Sequence, residues 1–224
     1  MFHDLTERME RLHSPRLALR PVSLADAWPL FQATRNPTFN KHLAWDQPDD
    51  EQALLERMHA IMAATRQGRL TAISAVLKST GAWVSLFRFL PYGRDPRTME
   101  LGIWTHFDYW HGRYSLELGQ LCVDAAFECT GVNRLVGLSL PENKGSCRLM
   151  EAVGMSPGAR STRIAENGTT LHVIEYAITR AQWLGRAVDG LAFESVECDF
   201  ESARELEKGY RIADEEEDLD AIAA

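Results

Sequence analysis

Three places in this chain bring together residue types that can do chemistry: an acid inside an apolar strand, a glycine turn running into a helix, and an asparagine opening a second helix. Glu100 stands among Met99, Leu101, Ile103 and Trp104. Burying a carboxylate in its charged form is costly, so Glu100 either faces solvent or sits where its ionisation serves a purpose. Trp110-His111-Gly112-Arg113-Tyr114-Ser115 is a polar turn at the start of a helix. The first-turn N–H groups of a helix are unpaired and its dipole places about half a positive charge there, so this turn suits an anion such as a pyrophosphate. His111 and Arg113 stand beside it as polar or charged supplements. Asn143 is a good N-cap for the helical stretch that stops at Gly154, and Ser146 falls in that helix's first turn.

The elements that must hold these groups can be read from periodicity. Leu118, Leu121, Cys122, Ala125, Ala126 and Cys129 recur at helical spacing and predict an amphipathic helix from about Tyr114 to Cys129. Its apolar stripe needs a sheet, which the strands Thr98 to Thr105 and Arg134 to Leu140 supply. Upstream, a strand is expected over Arg16 to Pro21. Ser23-Leu24-Ala25-Asp26 then caps a helix that Asn36-Pro37 closes. Asn40 to Trp45 reads as an irregular connector, and a second helix runs from after Asp50 to about Gln67. Leu70 to Leu77 and Ala82 to Leu90 form a hairpin around Lys78-Ser79-Thr80-Gly81, and a polar loop, Tyr92 to Arg97, leads into the Glu100 strand. After Gly154, two further strands flank Asn167-Gly168.

Composition narrows the function classes. With 224 residues, 45% hydrophobic and 25% charged, the chain suits one substantial core. No apolar run approaches the ~18 residues a membrane span needs, and the first residues lack the apolar segment of a secretory signal, so a cytoplasmic protein without a membrane partner is expected. Cys122, Cys129, Cys147 and Cys198 show no C-x-x-C spacing and the seven His no H-x-x-x-H pair, which argues against a metal site or a structural disulfide. From Leu184 onward there are thirteen acidic and four basic residues, a balance of -9 against a whole-chain charge of -8. Residues 1–183 are therefore near neutral, at +1, and the acidity belongs to the C-terminal extension. No basic patch speaks for nucleic acid.

The stretch YWHGRYSLELGQLCVDAAFE resembles the acetyl-CoA-binding segment of the GNAT acyltransferase superfamily, in particular the branch of ribosomal-protein N-terminal alanine acetyltransferases, which often read YWGKGYATEA and then AFE. Tyr109, Trp110, Tyr114, Glu117 and Ala126-Phe127-Glu128 match without gaps. PENKGSCRLMEAVGM resembles the family's N-x-x-S-x-R-L-x-E-x-x-G-F/M segment through Asn143, Ser146, Arg148, Leu149, Glu151, Gly154 and Met155, and SPRLALRPV is similar to its first strand. Arg113 and Ser115 depart from the Gly or Ala usual beside the pyrophosphate. Arg113 either crowds the phosphates or points outward and pairs with them, with Gly112 taking over the tight turn.

The resemblance covers about Ser14 to Trp183 and implies an α/β (α+β) GNAT fold, with a mixed, mostly antiparallel sheet splayed at the cofactor site and helices on both faces. Residues 1–13 are then a lead and 184–224 an extension. It implies an N-acetyltransferase that moves acetyl from acetyl-CoA, a co-substrate, to a primary amine of a protein N-terminus or a small molecule, by direct transfer and without metal. Glu100 becomes the candidate base, with His106 a lesser one, and Ser146 the donor to the leaving sulfur. Backbone groups at Ile103, Trp104 and Thr105, the turn His111, Gly112, Arg113, Tyr114 and Ser115, and Asn143 with Ser146 become the cofactor contacts. The family often has a Tyr acid near the second helix, and Asn143 to Met155 contains none. Trp28, Phe31, Phe39, His42 and Trp45 either line the acceptor wall or, for Trp28 and Phe31 above all, are core. The alternative to an enzyme is a degenerate CoA-binding sensor or interaction module, and a homodimer through the last hairpin or the extension is open.

Overall fold

The computed structural model describes residues 14–42, 47–110, 114–164 and 168–185, together with Arg8 and Leu12. A seven-stranded sheet organises them: β1 (Leu17–Pro21), β2 (Thr71–Leu77), β3 (Trp83–Pro91), β4 (Thr98–Thr105), β5 (Arg134–Ser139), β6 (Ser156–Ile164) and β7 (Thr170–Thr179). Their spatial order is β1-β2-β3-β4-β5-β7-β6, and every neighbouring pair is antiparallel except β4 with β5. The parallel pair needs a crossover, which α3 (Tyr114–Glu128) provides. Helices α1 (Ala27–Thr34) and α2 (Glu51–Arg66) lie between β1 and β2 in the chain, and α4 (Lys144–Ala152) between β5 and β6. A short α5 (Arg180–Leu184) follows β7. The mixed, mostly antiparallel sheet expected from the sequence is present.

Each face of the sheet carries its own core. Met99 and Leu101 of β4 bury against the α3 stripe, Leu118, Leu121, Cys122 and Ala125, together with Met150 and Val153 around α4. Trp104, one step out of phase on the same strand, joins Leu30, Leu54, Met58 and Ile61 of α1 and α2 on the opposite face. Glu100 shares the parity of Trp104, so it lies on the α1/α2 face.

Local chemistry fixes the helix starts. The Asp50 side chain accepts from the Ala53 N–H at 2.8 Å and caps α2. Buried Asp26 accepts from the Ser23 N–H at 2.9 Å and the Ser74 hydroxyl at 2.7 Å, and it pairs with Arg20, so the entry to α1 is tied to β1 and β2. Two glycines let α4 sit close. A Cβ on Gly137 of β5 would meet the Met150 sulfur at 2.7 Å, and one on Gly119 of α3 would meet Val153 at 3.0 Å. A methyl at Gly137 would force Met150 or α4 to shift, and one at Gly119 would press on Val153.

One expectation needs correction. Trp28 is 52% exposed and not core, because it falls on the outer side of α1, whereas Phe31 is half-buried under the Arg35 guanidinium and Phe39 is buried. Between α1 and the connector expected from Asn40 lies a helical turn, Pro37–Asn40, where Pro pre-sets the first-turn backbone. His42 is half-buried; Trp45 and Asn167 lie outside the described residues. Cys122 and Cys147 are buried free thiols and Cys129 is a half-buried one, while Cys198 and the acidic extension lie outside.

Candidate functional site

β4 and β5 pair only over Thr98–Glu100 and Arg134–Val136, and beyond Glu100 the two strands have no ladder between them. The direction of the freed groups follows from the alternation of antiparallel pairing. His106 donates its N–H to the Val84 carbonyl, so Trp104 and Gly102 also turn their backbone groups toward β3, and Ile103 and Thr105 turn theirs toward the gap. The Trp110 indole N–H occupies the Thr105 carbonyl at 2.8 Å. This leaves the N–H groups of Ile103 and Thr105 facing the parting of the strands. Trp104 offers the gap no backbone donor, and its ring lies beneath the buried Arg88, 4.7 Å from the guanidinium carbon to the ring centroid.

Two helix N-termini belong to the same chain segments. α3 begins at Tyr114, directly after the turn expected to cradle phosphates; His111, Gly112 and Arg113 lie outside the described residues. Tyr114 and Ser115 are half-buried. Tyr114 is held between the Tyr109 ring, edge-on at 5.5 Å, and the Arg16 guanidinium, 4.0 Å above its face. At α4 the Asn143 Oδ1 accepts from the Ser146 N–H at 3.1 Å, so the N-cap role is filled and the amide NH2 is the part of Asn143 left for a ligand. Ser146 itself is half-buried in the first turn.

Glu100 is neither free in solvent nor alone. Its carboxylate is 19% exposed and lies 3.5 Å from the Arg163 guanidinium of β6. Arg163 in turn sits 5.2 Å over the Tyr92 ring, and the Tyr92 hydroxyl donates to Glu175 at 2.6 Å. Arg134 pairs with the other Glu175 oxygen. Burial alone would raise the Glu175 pKa, yet the bonds from Tyr92 and Arg134 hold it below the usual carboxylate range. Burial and then the adjoining Glu175 push the Tyr92 phenol up. β5 and β7 stand between β4 and β6 in the sheet order, so this ion pair joins strands that are not neighbours.

His106 is a poor base here. Burial lowers its pKa, with Asp108 only partly opposing this, so the ring is neutral near pH 7. Its Nδ1 accepts from the Asp108 N–H at 3.2 Å, which puts the ring proton on Nε2. The lone pair a base would use is thereby taken up by the Asp108 N–H. Near α4 a buried tyrosine comes from the sheet: Tyr176 of β7 donates its hydroxyl to Glu151 at 3.3 Å. Hydrogen bonding to Cys147, followed by burial, pushes the phenol up to about 12.

Sequence reasoning missed Arg163, Tyr92, Glu175 and Tyr176. Alternation in the last hairpin could have placed Glu175 and Arg163 on one face, but nothing in the sequence reports that Arg163 meets Glu100. Among the described residues no group of three His, Cys, Asp or Glu stands close enough to hold a metal, and no helix is long and apolar enough to cross a membrane.

Residues 16–156 match the family described as Acetyltransferase (GNAT) domain. The Uncharacterized N-acetyltransferase p20 of Bacillus licheniformis is 22% identical over 178 residues, 79% of this chain and 100% of that protein. RimJ of Mycobacterium smegmatis, solved in complex with CoA-disulfide, superposes with a TM-score of 0.65 at 19% identity, over 76% of this chain and 85% of its own. RimL, a ribosomal L7/L12 alpha-N-protein acetyltransferase solved with coenzyme A, superposes with a TM-score of 0.64 at 15% identity, over 74% and 95%.

Proposed function

The chain belongs to the GNAT acetyltransferase family, and from that premise we propose that it transfers acetyl directly from acetyl-CoA to a primary amine within a ternary complex. The observation that carries this reading is the parting of β4 and β5 after Glu100, with the amides of Ile103 and Thr105 turned into the gap and the first turns of α3 and α4 following the two strands. An extended pantetheine arm can bond to such an edge as an extra strand would, while a pyrophosphate suits the start of α3, at His111 to Ser115. The Asn143 NH2 is the further donor available to the arm.

Each step has a group. Glu100 takes one proton from the acceptor ammonium, directly or through a water, leaving a nitrogen lone pair to attack the thioester carbon. The Ile103 and Thr105 amides stabilise the charge that develops on the carbonyl oxygen. As the C–S bond breaks, Ser146 hands its proton to the sulfur and is resupplied by the second nitrogen proton, so one proton ends on the thiol and one on Glu100. Ser156 stands in the string Gly154-Met155-Ser156-Pro157-Gly158, but it opens β6 after α4 and does not sit on the strand-to-helix turn of a nucleophile elbow, and Cys147 is buried, which favours direct transfer over an acyl-enzyme. The acceptor is an amine of a protein N-terminus or of a small molecule.

Calorimetry with acetyl-CoA, CoA and a longer acyl-CoA tests the donor site, and thiol release over a panel of amines and peptides tests the transfer. Micromolar binding with amine-dependent thiol release supports the proposal. Absence of binding to all three overturns it. Glu100→Gln is expected to bind acetyl-CoA normally while turnover falls by about a hundredfold or more, and wild-type turnover would remove Glu100 from the mechanism.

A further inference from the structure

Glu100 is the negative group best placed to receive an acceptor ammonium, yet a cation already faces it. The charged and titratable groups on this side of the sheet form a chain of alternating sign drawn from five elements. Arg134 of β5 meets Glu175 of β7, Glu175 meets Tyr92 of the loop after β3, Tyr92 underlies Arg163 of β6, and Arg163 meets Glu100 of β4. Arg88 of β3, opposite Gly102, lies on the same face. The links differ in strength. Glu175 is held from both sides, by Arg134 and by the 2.6 Å bond from Tyr92. The Arg163–Glu100 contact, at 3.5 Å and with the Arg163 side chain 40% exposed, is the loose one.

Arg163 also has somewhere to go. It stands on the outermost strand, between exposed Thr162 and Ile164, and the Tyr92 face lies within cation–π range whether or not Glu100 is engaged. A guanidinium can thus leave the carboxylate and keep the ring.

We propose that Arg163 is a displaceable counter-ion: it occupies the position against Glu100 that the acceptor ammonium takes over, keeps the carboxylate ionised and aimed until then, and rests on Tyr92 afterwards. Arg163 is a positioning residue, because it acts through Glu100 and not on the reacting atoms. The acceptor class that fits is a primary ammonium able to donate to a carboxylate, in competition with a guanidinium that must be displaced. Selectivity follows: weakly binding amines pay the displacement in affinity, and an acceptor with an acidic group beside the amine regains it from the freed Arg163. This rests on Glu100 being the base.

The test reads Glu100 without turnover. The Glu100 δ-carboxyl carbon is followed by NMR in protein carrying 13C-labelled glutamate, with Glu100→Gln assigning the signal, in wild type, Arg163→Gln and Arg163→Lys. Removing a full charge at this separation should raise the titration midpoint by about one pH unit in Arg163→Gln, and Lys should restore it. n-Butylammonium, with tetramethylammonium as the control lacking N–H donors, should perturb the Glu100 signal at concentrations lower by about threefold or more in Arg163→Gln than in wild type. A midpoint and an n-butylammonium concentration both unchanged in Arg163→Gln overturn the proposal. Wild-type turnover in Glu100→Gln overturns the general-base reading instead, and the two failures are told apart because the titration needs no catalysis.

Discussion

Glu117 in the first turn of α3 clasps Arg16 at the threshold of β1. One carboxylate oxygen accepts from the Arg16 N–H at 2.9 Å and from the Ser14 hydroxyl, and the other lies 2.6 Å from the Arg16 Nε. The guanidinium then covers Tyr114. The matched glutamate of the resembling segment therefore has a structural role in this chain: it anchors the N-terminal strand to the first turn of α3.

That clasp makes stability depend on acid. Burial would raise the Glu117 pKa, but the bonds from Ser14 and Arg16 outweigh it and the carboxyl is lowered. A folded-state pKa below the unfolded one contributes stability above the unfolded value, lost as pH falls through the folded one. Glu117→Gln should cost about 1–2 kcal/mol at pH 7, discounted for the 39% exposure of Arg16. Urea titrations at descending pH should show the gap to wild type closing below about pH 4.5; a gap independent of pH would refute the assignment.

Gly137→Ala should act at a distance from its own strand. The new Cβ would lie 2.7 Å from the Met150 sulfur, so α4 must move or Met150 must change rotamer. We expect about 1–3 kcal/mol of destabilisation and weaker acetyl-CoA binding, because Asn143 and Ser146 ride on α4. Coupling to Met150→Ala in a double-mutant cycle checks the contact, and strict additivity would contradict it.

Asn143 separates capping from ligand contact. Asn143→Ala should lose about 1 kcal/mol, and Asn143→Asp should regain it because Asp caps as well. If the NH2 serves the pantetheine arm, Asn143→Asp remains stable but binds acetyl-CoA more weakly by calorimetry. Equal affinity in Asn143→Asp would confine Asn143 to the cap.

Tyr176 should stay protonated across the working pH range, since its phenol is pushed up to about 12. Tyr176→Phe removes one 3.3 Å hydrogen bond to Glu151, at about 1 kcal/mol. The pH–rate profile between pH 6 and 10 should keep its shape and kcat should change by less than about tenfold. A hundredfold loss of kcat would make Tyr176, rather than Ser146, the acid.

Much of the scaffold was legible because it is local. The helical period at Leu118, Leu121, Cys122 and Ala125 specified α3, the start after Asp50 and the Asn143 cap marked α2 and α4, and the β4 limits, Thr98–Thr105, agree with those read from the residues. Glu100 was recognisable as an acid among apolar neighbours, and the Asn143–Ser146 pair as a helix start. Those signals arise from residues a few positions apart, whose interactions the backbone period fixes. Trp28 misled, because a large apolar side chain carries no record of which side of its helix faces the sheet.

What only the tertiary structure decided depends on pairings between distant residues. The parting of β4 from β5 after Glu100 leaves the Ile103 and Thr105 amides facing the gap, and no local propensity reports where a parallel ladder stops. Arg163, 63 positions from Glu100, stands 3.5 Å from it, and Tyr176 of β7 meets Glu151 of α4. By itself the sequence determined the elements and the acid. The register and curvature of the sheet decided which cation faces that acid, because side chains of separate strands meet only after the strands have chosen their neighbours.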